Sequence, residues 1–174
     1  LMFDDSNALV NREVENFMYL EGIIPSEKKI FFHYFPHTPN IGDSGSAAGI
    51  RYIFRSLTDK IFFYSLSCRN DTIVKIKKID CIPEGIIIGG GGLFFHQPLP
   101  SGWYFPISID DLRELKLPVF TYAIGFNQEF SKDRIWDLNN CFIKNIVDFH
   151  TLVTVGSVRD LWSKDILEKN GLSD

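Results

Sequence analysis

The sequence predicts an α/β fold, a Rossmann-like domain with a parallel sheet covered on both faces. Three observations predict it. Strand-like and helix-like stretches alternate along the chain. The strand-like stretches are continuous apolar runs, as strands buried on both faces require. Small or anion-friendly residues stand at strand-to-helix junctions: Asn40-Ile41-Gly42-Asp43, Gly89-Gly90-Gly91-Gly92 and Gly156-Ser157-Val158-Arg159-Asp160. Ligands of such folds sit at the carboxyl ends of the strands, where backbone N–H groups and helix dipoles hold anions.

Taken in order, Asp4 to Glu21 reads as a helix capped by Asp5 or Ser6, with Leu9, Val10, Val14, Phe17, Met18 and Leu20 as its apolar side. Gly22 and Pro25 end it. Lys29 to Tyr34 reads as a buried strand. After Pro36, Pro39 and Asn40, Gly42 to Ser56 reads as a helix that Asp43 or Ser44 caps, with Ala47, Ala48, Ile50, Ile53, Phe54 and Leu57 inward. Its small residues from Gly42 to Gly49 allow close packing. Lys60 to Leu66 is a second strand. A short helix capped by Asn70 runs to Lys78, with an edge strand over Thr72 to Ile76 as the alternative.

Gly85 to Ile88 is a central strand entering a glycine turn. Phe94 to Pro106 is an aromatic, proline-rich loop. Ser108 caps a helix from Ile109 to Leu115, helped by Asp110 and Asp111 at its positive end. Pro118 to Ile124 is a fourth strand, and a helix capped by Ser131 runs to about Val147. Thr151 to Val155 is a fifth strand. Val158 to Asn170 is a helix with Gly171 as its stop. Residues 1–28 thus form a helical extension and 29–174 the Rossmann-like domain.

Composition narrows the function. Hydrophobic residues make up 45% of the chain, enough for a core. The net charge of −4 and the scattered Lys and Arg argue against nucleic acid as a partner. Cys68, Cys81 and Cys141 lack CxxC spacing, and their odd, sparse count fits reduced, buried thiols in a cytoplasmic compartment. No apolar run reaches the ~18 residues that a membrane-spanning helix needs, and no signal peptide is evident.

Each junction has a plain reading beside a functional one. At Asn40 to Gly45, glycine permits a sharp turn and close ligand approach, but turn-and-cap chemistry explains it as well. No GKS or GKT follows, which excludes a P-loop. The run Gly89 to Gly92 is costly in unfolded-state entropy, so positive φ or close approach must require it. It lacks the spacing of a dinucleotide-binding turn, and no ribose-binding acid follows. Arg159, beside a helix start, suits bidentate binding of phosphate or carboxylate; the alternative is pairing with an acid such as Asp43. His33 reads as a core residue and His150 as a surface one. His37 and His96 lie on the ligand side, where either suits acid–base chemistry. No His, Cys or Asp cluster has metal-ligand spacing.

In this order and spacing, N-I-G-D (Asn40 to Asp43), I-I-I-G-G-G-G-L-F (Ile86 to Phe94), P-V-F-T-Y-A-I-G-F (Pro118 to Phe126) and V-R-D-L-W-S-K-D-I-L-E-K-N-G (Val158 to Gly171) resemble the polysaccharide pyruvyl transferase family. The resemblance covers about residues 29 to 171 and that family's N-terminal half. It implies the first half of a glycosyltransferase-B-like two-domain fold, with the C-terminal domain absent and little activity from this chain alone. It implies transfer of a pyruvyl group from phosphoenolpyruvate, the donor substrate, to a sugar of a polysaccharide such as an exopolysaccharide, with no cofactor and no metal. By that pattern Arg159 holds donor charge, and Asp43 orients or deprotonates an acceptor hydroxyl. Asn40, Gly42, Gly90, Gly91, Gly92 and His96 line the cleft. A homo-oligomer is compatible with it. The fourth glycine, and Phe-Asn-Gln after Gly125, depart from the family pattern. Two other readings stand beside it: a nucleotide-sugar glycosyltransferase lobe, and a non-catalytic domain that docks a partner through Phe94 to Phe105.

Overall fold

The structure, a computed structural model, describes residues 27–36, 41–95, 97–126 and 141–172. The expected N-terminal helix, the expected cap at Ser131, and His37, Asn40 and His96 lie outside the described residues. Strands β1 (Lys29–Phe35), β2 (Ile61–Ser67), β3 (Gly85–Phe94), β4 (Val119–Phe126) and β5 (Val153–Val158) form one parallel sheet. Helices α1 (Ile41–Leu57), α2 (Ile73–Ile76), α3 (Ile109–Leu115), α4 (Cys141–His150) and α5 (Leu161–Lys169) alternate with them.

The strand order is β2-β1-β3-β4-β5. The chain therefore winds outward in one direction from β1 to β2 and in the other from β3 to β5. In doubly wound sheets the crevice for ligands opens where the winding reverses, here between β1 and β3.

The apolar runs of the strands supply two cores. One face carries Phe32, Tyr34, Phe62, Leu66, Ile86, Ile88 and Val119, packed with Phe142, Ile146 and Phe149 of α4 and Leu167 of α5. The other carries Ile61, Phe63 and Ile87 against Ile50 of α1, with Phe31, Phe54, Phe120 and Tyr122 half-buried around them. Full burial of each such side chain contributes ~1.5–3 kcal/mol.

The structure corrects several sequence expectations. Ile53 and Leu57 of α1 are exposed, and Arg51 is the residue turned inward, 2% exposed. Its Nε donates to His33 Nδ1 (3.0 Å) and its Nη2 to Ser65 Oγ (2.7 Å). The guanidinium also lies 5.2 Å from the Phe35 ring centroid and 5.6 Å from that of Phe63. A buried cation is tolerated where donors meet acceptors and ring faces, and β1 and β2 supply both. His33 is a core residue, as expected. Neither Gly45 nor Gly49 has an atom within 4 Å of where a Cβ would stand, so close packing does not explain them.

Helix α2 starts after Thr72 rather than Asn70. Helix α4 runs on to His150, so that residue is half-buried rather than a surface residue. Burial lowers its pKa, partly offset by its bond to the Ile146 carbonyl at 2.8 Å. Cys68 is buried and Cys81 half-buried, but Cys141 is exposed at the start of α4. All are free thiols. Among the described residues no helix is long and apolar enough to cross a membrane.

Candidate functional site

The glycine run is not a turn. Gly89 to Gly92 continue β3 to Phe94, and no helix follows at once. The β3–β4 pairing slips between Gly91 and Phe94, and the β4–β5 pairing slips between Thr121 and Ile124. Ala123 of β4 sits at φ 49°, which is unfavourable for a residue with a Cβ. Its N–H donates to Ser157 Oγ at 3.2 Å. Three adjoining strands are thus irregular at the same level, their carboxyl ends.

Each central glycine answers a close neighbour. A Cβ on Gly89 would strike the Tyr122 carbonyl oxygen. Gly90 has φ +95°, and its missing Cβ leaves room for the Ala47 backbone nitrogen of α1 at 3.1 Å. A Cβ on Gly91 would stand 2.6 Å from Asp43 Oδ1 and 3.2 Å from Pro36 Cγ. The run therefore lets α1 descend onto β3 and lays the Asp43 carboxylate over Gly91, at the β1/β3 reversal point. Asp43 does not cap α1: the helix starts at Ile41, so Asp43 stands inside its first turn, where a negative charge favours the helix dipole.

Arg159 follows β5. Its backbone N–H donates to the Ile124 carbonyl at 3.0 Å, extending the β4–β5 pairing. Its side chain lies across Gly125, where a Cβ would stand 2.7 Å from Arg159 Cγ and 2.8 Å from Ser163 Oγ. Its Nη2 donates to the Phe126 carbonyl (2.6 Å) and its Nε to Asp160 Oδ2 (3.0 Å). The paired acid is thus the sequence neighbour Asp160. A guanidinium has five N–H donors, so these bonds fix its plane and leave others for a ligand.

Asp160 is the N-cap of α5, as expected, with Oδ1 accepting from Ser163 N–H at 2.7 Å. Ser163, fully buried, accepts in turn from Phe126 N–H at 3.0 Å and ties α5 to the end of β4. Burial raises the Asp160 pKa, but bonds from Ser163 and Arg159 outweigh it, and the net shift is downward.

A depressed folded-state pKa gives stability that is present above the unfolded value, 3.8, and lost as pH falls through the folded value. Thermal melts of wild type and Asp160→Asn are therefore expected to converge below about pH 4, with wild type losing more on acidification. Asp160→Ala is expected to cost ~1 kcal/mol at neutral pH through the lost cap.

Gly91 pairs with Ile124, and Ile124 with Val158. Asp43 over β3 and Arg159 over β4 are thus brought to the same end of adjacent strands. Gly42 is exposed and Gly92 half-buried at that end. Sequence reasoning missed Ser163.

The aromatic loop is folded inward. Trp103 and Phe105 are 0% exposed. Their rings stack at 5.0 Å and 19°. An open groove of ≈ 460 Å³ runs along β5 and α5, lined by Thr121, Gly156, Lys164 and Glu168 among others, and contains none of the expected site residues. Among the described residues no group of three or more His, Cys, Asp or Glu is placed to hold a metal.

No curated protein and no solved structure matches the chain. The family model described as polysaccharide pyruvyl transferase matches residues 40–174, spanning both the Asp43 and the Arg159 junctions. The chain belongs to the polysaccharide pyruvyl transferase family.

Proposed function

We propose that this chain supplies one half of a site that moves a pyruvyl group from phosphoenolpyruvate onto two hydroxyls of a glycan sugar. The observation that carries the reading is Arg159, fixed across Gly125 at the start of α5 with donors to spare. Phosphoenolpyruvate presents a phosphate and a carboxylate, and a fixed guanidinium fork matches either one. The positive end of α5 adds to the attraction.

In the reaction both new C–O bonds form at the enol carbon, and the C–O bond to phosphate breaks. One hydroxyl proton goes to the methylene carbon, which becomes methyl, and the other leaves with phosphate. In this reading Asp43, whose carboxylate lies over Gly91, orients or deprotonates an acceptor hydroxyl. On the same reading Gly42, Gly91 and Gly92 line the approach, while Gly90, expected there too, is buried beneath Ala47 of α1, and no cofactor is needed. The fully buried Trp103 and Phe105 count against a domain that docks partners through its aromatic loop.

Calorimetric titration tests the reading, with phosphoenolpyruvate in one arm and UDP in the other. Saturable phosphoenolpyruvate binding without UDP binding is the expected result. UDP binding alone would replace it with a nucleotide-sugar transferase. Binding of neither would remove the donor site from this chain.

A further inference from the structure

The hydrogen bonds around Arg159 close into a ring. Arg159 Nε donates to Asp160 Oδ2 at 3.0 Å, and Ser163 N–H donates to Asp160 Oδ1 at 2.7 Å. Phe126 N–H donates to Ser163 Oγ at 3.0 Å, and Arg159 Nη2 donates to the Phe126 carbonyl at 2.6 Å. The circuit therefore runs from the guanidinium through Asp160, Ser163 and the Phe126 backbone to the guanidinium again. It joins the end of β4, the residue after β5 and the first turn of α5.

Its members differ in depth. Ser163 and Phe126 are 0% exposed, whereas the Arg159 side chain is 39% exposed. The ring is thus anchored in the core and holds a guanidinium at the surface. Gly125 keeps the space for it, since a Cβ there would stand 2.7 Å from Arg159 Cγ and 2.9 Å from Arg159 Nε.

A tie between α5 and β4 does not need Arg159. The Ser163 hydroxyl on Phe126 N–H already makes that tie. What the ring adds is a fixed guanidinium. Ordering a long side chain at the moment of binding weakens binding by about threefold to tenfold. Here that ordering is part of folding. The ring uses Nε and one N–H of Nη2, and among the described residues no partner takes the N–H groups of Nη1.

We propose that Ser163 and Asp160 are positioning residues for the donor site, holding the Arg159 guanidinium through this ring in the orientation that receives phosphoenolpyruvate. This rests on the reading that Arg159 binds the donor. Ser163 acts through Phe126 and Asp160, without touching the ligand.

Two readouts on the full chain test it. The Arg159 Nε–H signal in nitrogen-correlated NMR spectra reports the order of the guanidinium with no ligand present. Calorimetry reads phosphoenolpyruvate affinity. Wild type is expected to show an ordered, slowly exchanging Nε–H. Ser163→Ala removes the acceptor of Phe126 N–H. Asp160→Asn leaves one side-chain oxygen for two donors. Each variant is expected to lose the slow Nε–H signal and to bind phosphoenolpyruvate about threefold to tenfold more weakly. Charge alone predicts the opposite sign for Asp160→Asn, because loss of a negative charge favours an anion. One break opens the ring, so the double variant should bind within about twofold of the weaker single variant. Ser108→Ala, which removes the cap of α3 and takes no part in the ring, is the control for lost stability with unchanged affinity.

An Nε–H that is disordered in wild type, or unchanged in both variants, would overturn the ring. Unchanged or tighter binding in the folded variants, or additive losses in the double variant, would overturn the positioning role. Asp160 is 37% exposed, so its variant decides where Ser163→Ala does not fold. A wild type that binds no phosphoenolpyruvate would defeat the donor reading, and the Nε–H signals would still uphold or overturn the ring that orients Arg159.

Discussion

Arg159→Ala is expected to weaken phosphoenolpyruvate binding about a hundredfold, since a charge-assisted hydrogen bond is worth roughly 1.5–3 kcal/mol. Stability should barely change. The side chain is 39% exposed, and an ion pair with Asp160 at that exposure contributes only ~0–1 kcal/mol. The melting temperature is therefore expected to fall by less than roughly 4 °C. Arg159→Lys should recover little of the affinity. A lysine ammonium cannot bond to Asp160, the Phe126 carbonyl and a ligand in the planar arrangement that the guanidinium holds. Calorimetry and thermal melts on the same samples separate the two effects. A large fall in stability with unchanged affinity would make Arg159 a structural residue.

Gly89→Ala is expected to be the most damaging glycine-to-alanine substitution among the described residues. The new methyl group would meet the Tyr122 carbonyl oxygen, a backbone atom in the neighbouring strand, and Ile50 Cδ1 at 3.2 Å. Neither strand can yield without losing ladder bonds in the sheet centre, so a cost of ~3 kcal/mol or more follows, or roughly 6–12 °C in melting temperature. Gly49→Ala is the control. Gly49 stands in α1 with open space around it, so alanine there should stabilise by ~0.5–1 kcal/mol. Equal effects at the two positions would mean that backbone entropy alone, and not the approach of β4, explains the glycines.

The contrast between these glycines also shows which parts of the fold local sequence specifies. The strands were legible because each is a short apolar run bounded by breakers, and the parallel arrangement followed from their alternation with helices. Ser108 was legible as a cap: its hydroxyl accepts from Asp111 N–H at 3.1 Å. The glycine run was misread as a turn because glycine is a poor strand former in isolation. What keeps it extended is its neighbours, the Tyr122 carbonyl and the Ala47 backbone, which no local pattern reveals.

Arg51 was missed for a related reason. Apolarity pointed Ile53 and Leu57 inward, but His33 and Ser65, from two different strands, make an inward arginine tolerable. His150 was misplaced because nothing in the local residues stops α4 at Val147. Of the site, the Arg159–Asp160 junction was legible as a helix start. The placement of Asp43 over Gly91 depends on strand order, which sequence pattern leaves open.

The most direct test of a donor site at this end of the sheet is amide shift mapping. The labelled chain would be titrated with phosphoenolpyruvate, and backbone N–H shifts followed. Saturable shifts centred on Gly125, Phe126, Arg159 and Ser163 are predicted. Shifts centred instead on the groove along β5, or no shifts at all, would contradict it.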